Sequence, residues 1–134
     1  MYDYDCLLQS MYDIYGEDRY RKPSSHYYEK ELVKTIQDCE ANCEHMTVML
    51  KKVKDYKHRT TQIRLLRDCA DICGLTAKYI ARMSYFSKHI AKLCAYICVV
   101  CGKECAKFPD RASQNCAEVC FHCARECKAF AMRS

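Results

Sequence analysis

Between Cys94 and Cys127 eight cysteines fall into two half-repeats of identical spacing. They are Cys94, Cys98, Cys101 and Cys105, then Cys116, Cys120, Cys123 and Cys127, each stepping by four, three and four residues. At about 100° per residue, such positions stay within a stripe roughly 60° wide on one helix face. A Phe108-Pro109-Asp110 break separates the two lines, so two helices must turn their thiols towards each other or towards further helices. Two more stripes continue the pattern. One reads Leu32, Ile36, Cys39, Cys43, Met46, Leu50, and the other Leu66, Cys69, Cys73, Thr76, Ile80, Met83. Both repeat at the three-and-four spacing of an apolar helical seam, with cysteines set into it.

Thiolates are soft ligands that select Cu(I), zinc or iron–sulfur clusters. Buried cysteine is also a small hydrophobe that needs no function, and for a single pair such as Cys69 and Cys73 that explanation suffices. Twelve cysteines in phase on four helices exceed it. Structural zinc sites are discrete sets of four, commonly on loop-borne knuckles, whereas these thiols form continuous lines on rigid helices. Thiols on adjacent turns are about 6 Å apart along the axis, a separation suited to linear or trigonal Cu(I) bridging down a channel. Three function classes stay open on this ground: a multi-ion Cu(I) store, a structural or interaction bundle with cysteines as core filler, and a zinc or redox thiol protein.

The histidines sort by the helical wheel. His45, His122 and His89 each lie well off the neighbouring cysteine stripe and face solvent. His58, in a connection where metal would be admitted, is a candidate transient ligand, and Met46, on the stripe, a candidate thioether ligand, although methionine there is more often core. No Cys–His pair is in phase and no oxyanion element or Gly-rich phosphate loop is present, so an enzyme is not expected.

The elements that position these residues follow from composition. The chain has 134 residues, long enough for one domain with a real core, and only three glycines and two prolines, which suits long helices with short connections. Thirteen cysteines would suit a secreted disulfide scaffold. The acidic start Met1-Tyr2-Asp3-Tyr4-Asp5, with no apolar stretch behind it, argues instead for a cytoplasmic protein with reduced thiols. No run of about 18 apolar residues would span a bilayer. The net charge of +5 is spread among acids, so no nucleic-acid partner is expected.

Taken in order, residues 1–22 form a Tyr-rich acidic tail, partly ordered or a short helix through Leu7, Leu8, Met11 and Ile14, with Cys6 a peripheral thiol. Pro23-Ser24-Ser25 supplies a stop and an N-cap. Residues 23–134 then make a cysteine-lined bundle with helices at about 25–56, 61–84, 88–107 and 110–130. Four such helices with short connections predict an all-α, antiparallel up-down-up-down four-helix bundle. A height map places all twelve in-phase cysteines in the half of the core nearest the His58 and Phe108 connections, with Met46 level with Cys120. Leu32, Ile36, Ile80, Met83, Ala91 and Phe130 fill the other half.

The segments Arg67-Asp68-Cys69-Ala70-Asp71-Ile72-Cys73-Gly74, Lys92-Leu93-Cys94-Ala95-Tyr96-Ile97-Cys98 and Cys101-Gly102-Lys103-Glu104-Cys105 closely resemble the bacterial cytosolic cysteine-rich four-helix-bundle copper-storage proteins. Cys116-Ala117-Glu118-Val119-Cys120 and Cys123-Ala124-Arg125-Glu126-Cys127 do the same. The resemblance covers residues 29 to 131 approximately and is most specific in helices 2 to 4. It implies a cytosolic bundle, often a homotetramer, that holds many Cu(I) ions through Cys39, Cys43, Cys69, Cys73, Cys94, Cys98, Cys101, Cys105, Cys116, Cys120, Cys123 and Cys127. It also marks departures. Leu32, Ile36, Met46, Leu50, Ala91 and Ser113 stand where such proteins often carry cysteine, and Phe108 and Ala112 where they carry histidine. The departures imply either a reduced store with an altered mouth or a relative that has lost high-capacity binding.

Overall fold

The computed structural model describes residues 4–15 and 28–133. Among them are five α-helices, one 3-10 turn and no strand. The helices are α1 (Tyr4–Tyr15), α2 (Lys30–Leu50), α3 (Thr60–Ala81), α4 (Ser87–Ala106) and α5 (Arg111–Ala131). Pro23, Ser24 and Ser25, the expected stop and cap, lie outside the described residues. The short tail helix is realised as α1, which leaves Leu7, Leu8 and Met11 exposed.

The three-and-four seams become the buried faces of the long helices. Leu32, Ile36, Cys39, Cys43, Met46 and Leu50 are buried on α2, and Leu66, Cys69, Cys73, Thr76 and Ile80 on α3. Helix α2 packs against α3 and α5, α3 against α4, and α4 against α5. One continuous core results. Its large aliphatic members, such as Ile36, Leu50 and Leu66, each contribute roughly 1.5–3 kcal/mol by leaving water.

Local chemistry sets the helix ends. Pro109 precedes Asp110, whose extended backbone and carboxylate cap α5 by accepting from Ser113 N at 3.0 Å. The other end of the molecule is closed differently. Helix α3 stops at Ala81 rather than near residue 84, because Met83 takes a left-handed conformation, with φ 53°. Ser84 N then donates to Tyr79 O at 2.9 Å and Met83 N to Ile80 O at 3.0 Å, the two bonds of a Schellman cap. Met83, expected as core fill, is therefore turned outward and exposed. Leu32, Ile36, Ile80 and Ala91 are buried at this end as expected, and Phe130 packs against them half-buried. Ser87 Oγ ties the start of α4 back to Tyr79 O at 3.1 Å, and Arg133, beyond α5, pairs with Glu29 at the start of α2.

Helix α2 also ends earlier than its seam suggests, at Leu50 rather than near residue 56. Residues 51–55 turn through a lysine-rich stretch into a 3-10 turn, Tyr56–Arg59. The reason is tertiary. Arg59 is drawn underneath, into contact with Asp55 and Asp110, and a continuing α-helix would not place it there.

Candidate metal centre

Each of the four long helices carries cysteines only on its buried face, and none of those twelve sulfur-bearing side chains is exposed. Helices α2 and α3 supply two each, α4 and α5 four each. Sulfurs meet closely across three of the four packed pairs of long helices. Cys43 and Cys120 join α2 to α5 at 3.7 Å. Cys69 and Cys98, at 3.6 Å, join α3 to α4, as do Cys73 and Cys94 at 3.8 Å. Cys101 and Cys120 join α4 to α5 at 3.9 Å. Adjacent turns of one helix add Cys94 to Cys98 and Cys123 to Cys127, both at 4.0 Å.

Three groups are compact enough for a metal ion, their sulfurs all lying within 4.8 Å of one another. The first, Cys39, Cys73, Cys98 and Cys123, takes one sulfur from each long helix. The second is Cys39, Cys43, Cys69 and Cys120, and the third Cys94, Cys123 and Cys127. They are not separate sites, since Cys39 belongs to the first two and Cys123 to the first and third. Cys101 extends the column from Cys120, and Cys105 and Cys116, mutual neighbours, complete it. No carboxylate or imidazole joins any of these groups among the described residues, so the donor set is wholly soft.

Contacts between neighbouring thiols hold Cys39, Cys94, Cys101 and Cys116 below the ordinary thiol range, and the same contacts first, with burial second, hold Cys43, Cys73, Cys105 and Cys127 far above it. The raised thiols are protonated at neutral pH, and a bound cation must displace their protons.

The remaining candidates fall elsewhere. Met46 is buried in the same core one turn beyond Cys43, while Cys43 itself, not Met46, meets Cys120. His58 is exposed in the 3-10 turn, His45 and His122 are exposed on their helices, and His89 is half-buried beside Phe86. Cys6 is exposed on α1.

One buried cluster at the α2–α3 and α4–α5 connections was not foreseen from sequence. Arg59 Nη1 donates to Asp110 Oδ1 at 2.9 Å, Gln62 Oε1 at 3.1 Å and Ser113 Oγ at 3.2 Å. Gln62 Nε2 in turn donates to Ser113 Oγ at 2.9 Å and to Cys105 Sγ at 3.5 Å. Burial alone would raise the Asp110 carboxyl, but the Ser113 hydroxyl and amide and the Arg59 guanidinium outweigh it and hold it below its usual range. A signal did exist. Gln62 is in phase with Leu66 and Cys69, and Ser113 with Cys116, so both are polar residues on inward stripes.

The profile of a family described as copper storage protein matches residues 25–132, all four thiol-bearing helices included. The chain belongs to the copper storage protein family. Among solved structures, the Cu(I)-bound copper storage protein BsCsp3 is 38% identical, with a TM-score of 0.74 over 78% of this chain and 99% of that one. A cytosolic copper storage protein from Streptomyces lividans, studied during copper loading with five coppers, is 25% identical, with a TM-score of 0.73 over 77% of this chain and 91% of its own. An uncharacterised cysteine-rich Bacillus subtilis protein, YhjQ, is 39% identical over 80 residues, 60% of this chain and 74% of the relative. No helix of this copper storage protein, among the described residues, is long and apolar enough to cross a membrane.

Proposed function

We propose that this protein stores copper as several Cu(I) ions held by the twelve buried cysteines. The observation that carries this reading is the sharing of Cys39 and Cys123 between metal-sized groups. Sets that overlap in this way make a continuous column, which suits a cation content with two or three thiolates and tolerant of bridging. Twelve thiolates would hold about six Cu(I) at two unshared sulfurs each, and about twelve where sulfurs bridge.

The helices are best taken as an antiparallel up-down-up-down four-helix bundle. In support, Cys69 meets Cys98 while Cys73 meets Cys94, so α3 and α4 run in opposite senses. The bundle spans residues 23–134, with residues 1–22 a separate tail, in a cytoplasmic and homo-oligomeric protein, as the Streptomyces relative's cytosolic description and the family resemblance suggest. The mechanism is binding without turnover. Cu(I) is admitted at the end near His58 and Phe108, with His58 and Met46 as auxiliary ligands, and passes inward from thiolate to thiolate as protons leave.

The test is an anaerobic titration of the fully reduced protein with Cu(I) against a chromophoric Cu(I) chelator. About six to twelve equivalents withheld from the chelator establish the store. One equivalent or none would return the cysteines to core filler. The group with one sulfur per helix also has the four-thiolate composition of a structural zinc site. A zinc protein would instead take up Zn in place of Cu(I), one ion per independent set of four sulfurs.

A further inference from the structure

The end of the column at which copper would be admitted is closed by a charged side chain, which storage alone does not require. Arg59 comes from the α2–α3 connection, and its side chain is only 7% exposed. Its main partners come from the α4–α5 connection: Asp110 at 2.9 Å, and the Phe108 ring, whose centroid lies 4.1 Å from the guanidinium carbon. Nε is held to Asp55 Oδ2 at 3.0 Å. Behind the guanidinium stand Gln62 and Ser113, and behind Gln62 stands Cys105, the outermost sulfur in contact with this cluster. The chain of contacts from the surface to the sulfur column therefore runs through Arg59.

Two features distinguish this arrangement from an ordinary plug. An apolar side chain would fill the position without the cost of removing a guanidinium from water. The carboxylate partners, moreover, remain wet. Asp110 keeps 36% and Asp55 47% of their side-chain surface exposed. Water can therefore take over both carboxylates when the guanidinium leaves, and the closed and open arrangements differ by little.

We propose that Arg59 is a latch on the copper column: Cu(I) passes this end in either direction only after the Arg59–Asp110 pair has opened. The proposal rests on the reading that copper is stored in the thiol column and admitted here. It concerns the rate of exchange and leaves the amount stored unchanged.

The experiment mixes the reduced full-length protein anaerobically with Cu(I) bound to a chromophoric chelator and follows transfer to the protein. Return of copper to excess chelator is followed in a second mixing. Wild type is compared with Arg59→Met, which keeps length but removes charge and donors, and with Asp110→Asn, which keeps an acceptor for the α5 cap. Arg82→Met, at the opposite end, where Arg82 lies over the Tyr79 ring at 4.7 Å, is the control. The latch predicts that both Arg59→Met and Asp110→Asn exchange copper faster, by about tenfold or more, in both directions. Final copper content stays at the wild-type value and Arg82→Met behaves as wild type. Unchanged or slower exchange with full capacity would overturn the latch and leave storage standing. A wild-type protein that binds no copper would instead remove the storage reading. Should Arg59→Met fail to fold, Asp110→Asn decides alone.

Discussion

The sulfurs of Cys39 on α2 and Cys123 on α5 lie within 4.8 Å of each other, and each belongs to a second compact thiol group as well. These two residues therefore act as joints. A cation held beside Cys39 shares a ligand with one held by Cys43, Cys69 and Cys120, and Cys123 connects to Cys94 and Cys127 in the same way. On the storage reading the core is a column along which metal would spread, and the effect of losing a sulfur would depend on its position.

That gives a ranking of substitutions. Cys98→Ala removes one sulfur that touches Cys69 at 3.6 Å and Cys73 at 3.8 Å, and should lower the Cu(I) equivalents withheld from a chelator by about one. Cys39→Ala should lower them by about two, since two groups lose a ligand together. His122→Ala, on an exposed residue of α5, should leave the capacity unchanged. Equal losses for Cys98→Ala and His122→Ala would contradict the column.

Acid should loosen copper binding. Cys43 and Cys73 are pushed above the usual thiol range by neighbouring thiols and burial, so each must lose a proton to bind copper. Affinity should then fall as pH is lowered, with about one proton released per thiolate engaged. Chelator competition at about pH 7 and about pH 9.5 should show the tighter copper binding at the higher pH. An affinity that does not change between the two would contradict the assignment.

Met83 occupies the left-handed position of the α3 cap, at φ 53°, where glycine avoids the clash between Cβ and the backbone. The residue is 37% exposed, so only part of a methionine's burial is lost on removal, less than the relief of the left-handed strain. Met83→Gly should stabilise the protein by about 1 kcal/mol, raising Tm by roughly 4 °C or more. A fall in Tm would mean that the Met83 side chain contributes more contact than its exposure suggests.

The thiol stripes were legible because a helix has one period, and a small residue placed every three or four positions has only the interior to face. Burial of all twelve in-phase cysteines follows from that periodicity. What sequence could not supply was the relative height of helices to within a turn. Met46 was expected level with Cys120, and Cys43 takes that contact instead. Met83 was missed because methionine at a left-handed position carries no compositional mark. Arg59 was missed because a charged residue in a connection is normally solvated. Its burial depends on Asp110, Gln62 and Ser113 arriving from distant parts of the chain, and no single segment carries that information.

The two glycines inside the thiol-bearing helices make the last contrast. A Cβ added at Gly102 would lie 2.7 Å from Phe121 Cε1 and 2.9 Å from Cδ1, both atoms of a rigid ring packed against the core. Helix α5 can lay Phe121 against α4 only because position 102 has no side chain. Gly102→Ala must push the ring or the helix away, at a cost of about 1–3 kcal/mol that exceeds the gain in helix propensity. At Gly74 the added Cβ would meet Glu40 Oε2, the far end of a flexible side chain that can rotate into water. Gly74→Ala should therefore be neutral or stabilising, by up to about 1 kcal/mol. Thermal unfolding of the two variants in the reduced, copper-free state checks the pair. The column also depends on α4 and α5 staying close, as the Cys101–Cys120 distance of 3.9 Å shows. Gly102→Ala should accordingly lose copper capacity as well as stability, whereas Gly74→Ala should lose neither. If Gly102→Ala is as stable as wild type and fully loaded, the α4–α5 spacing is not set by that glycine.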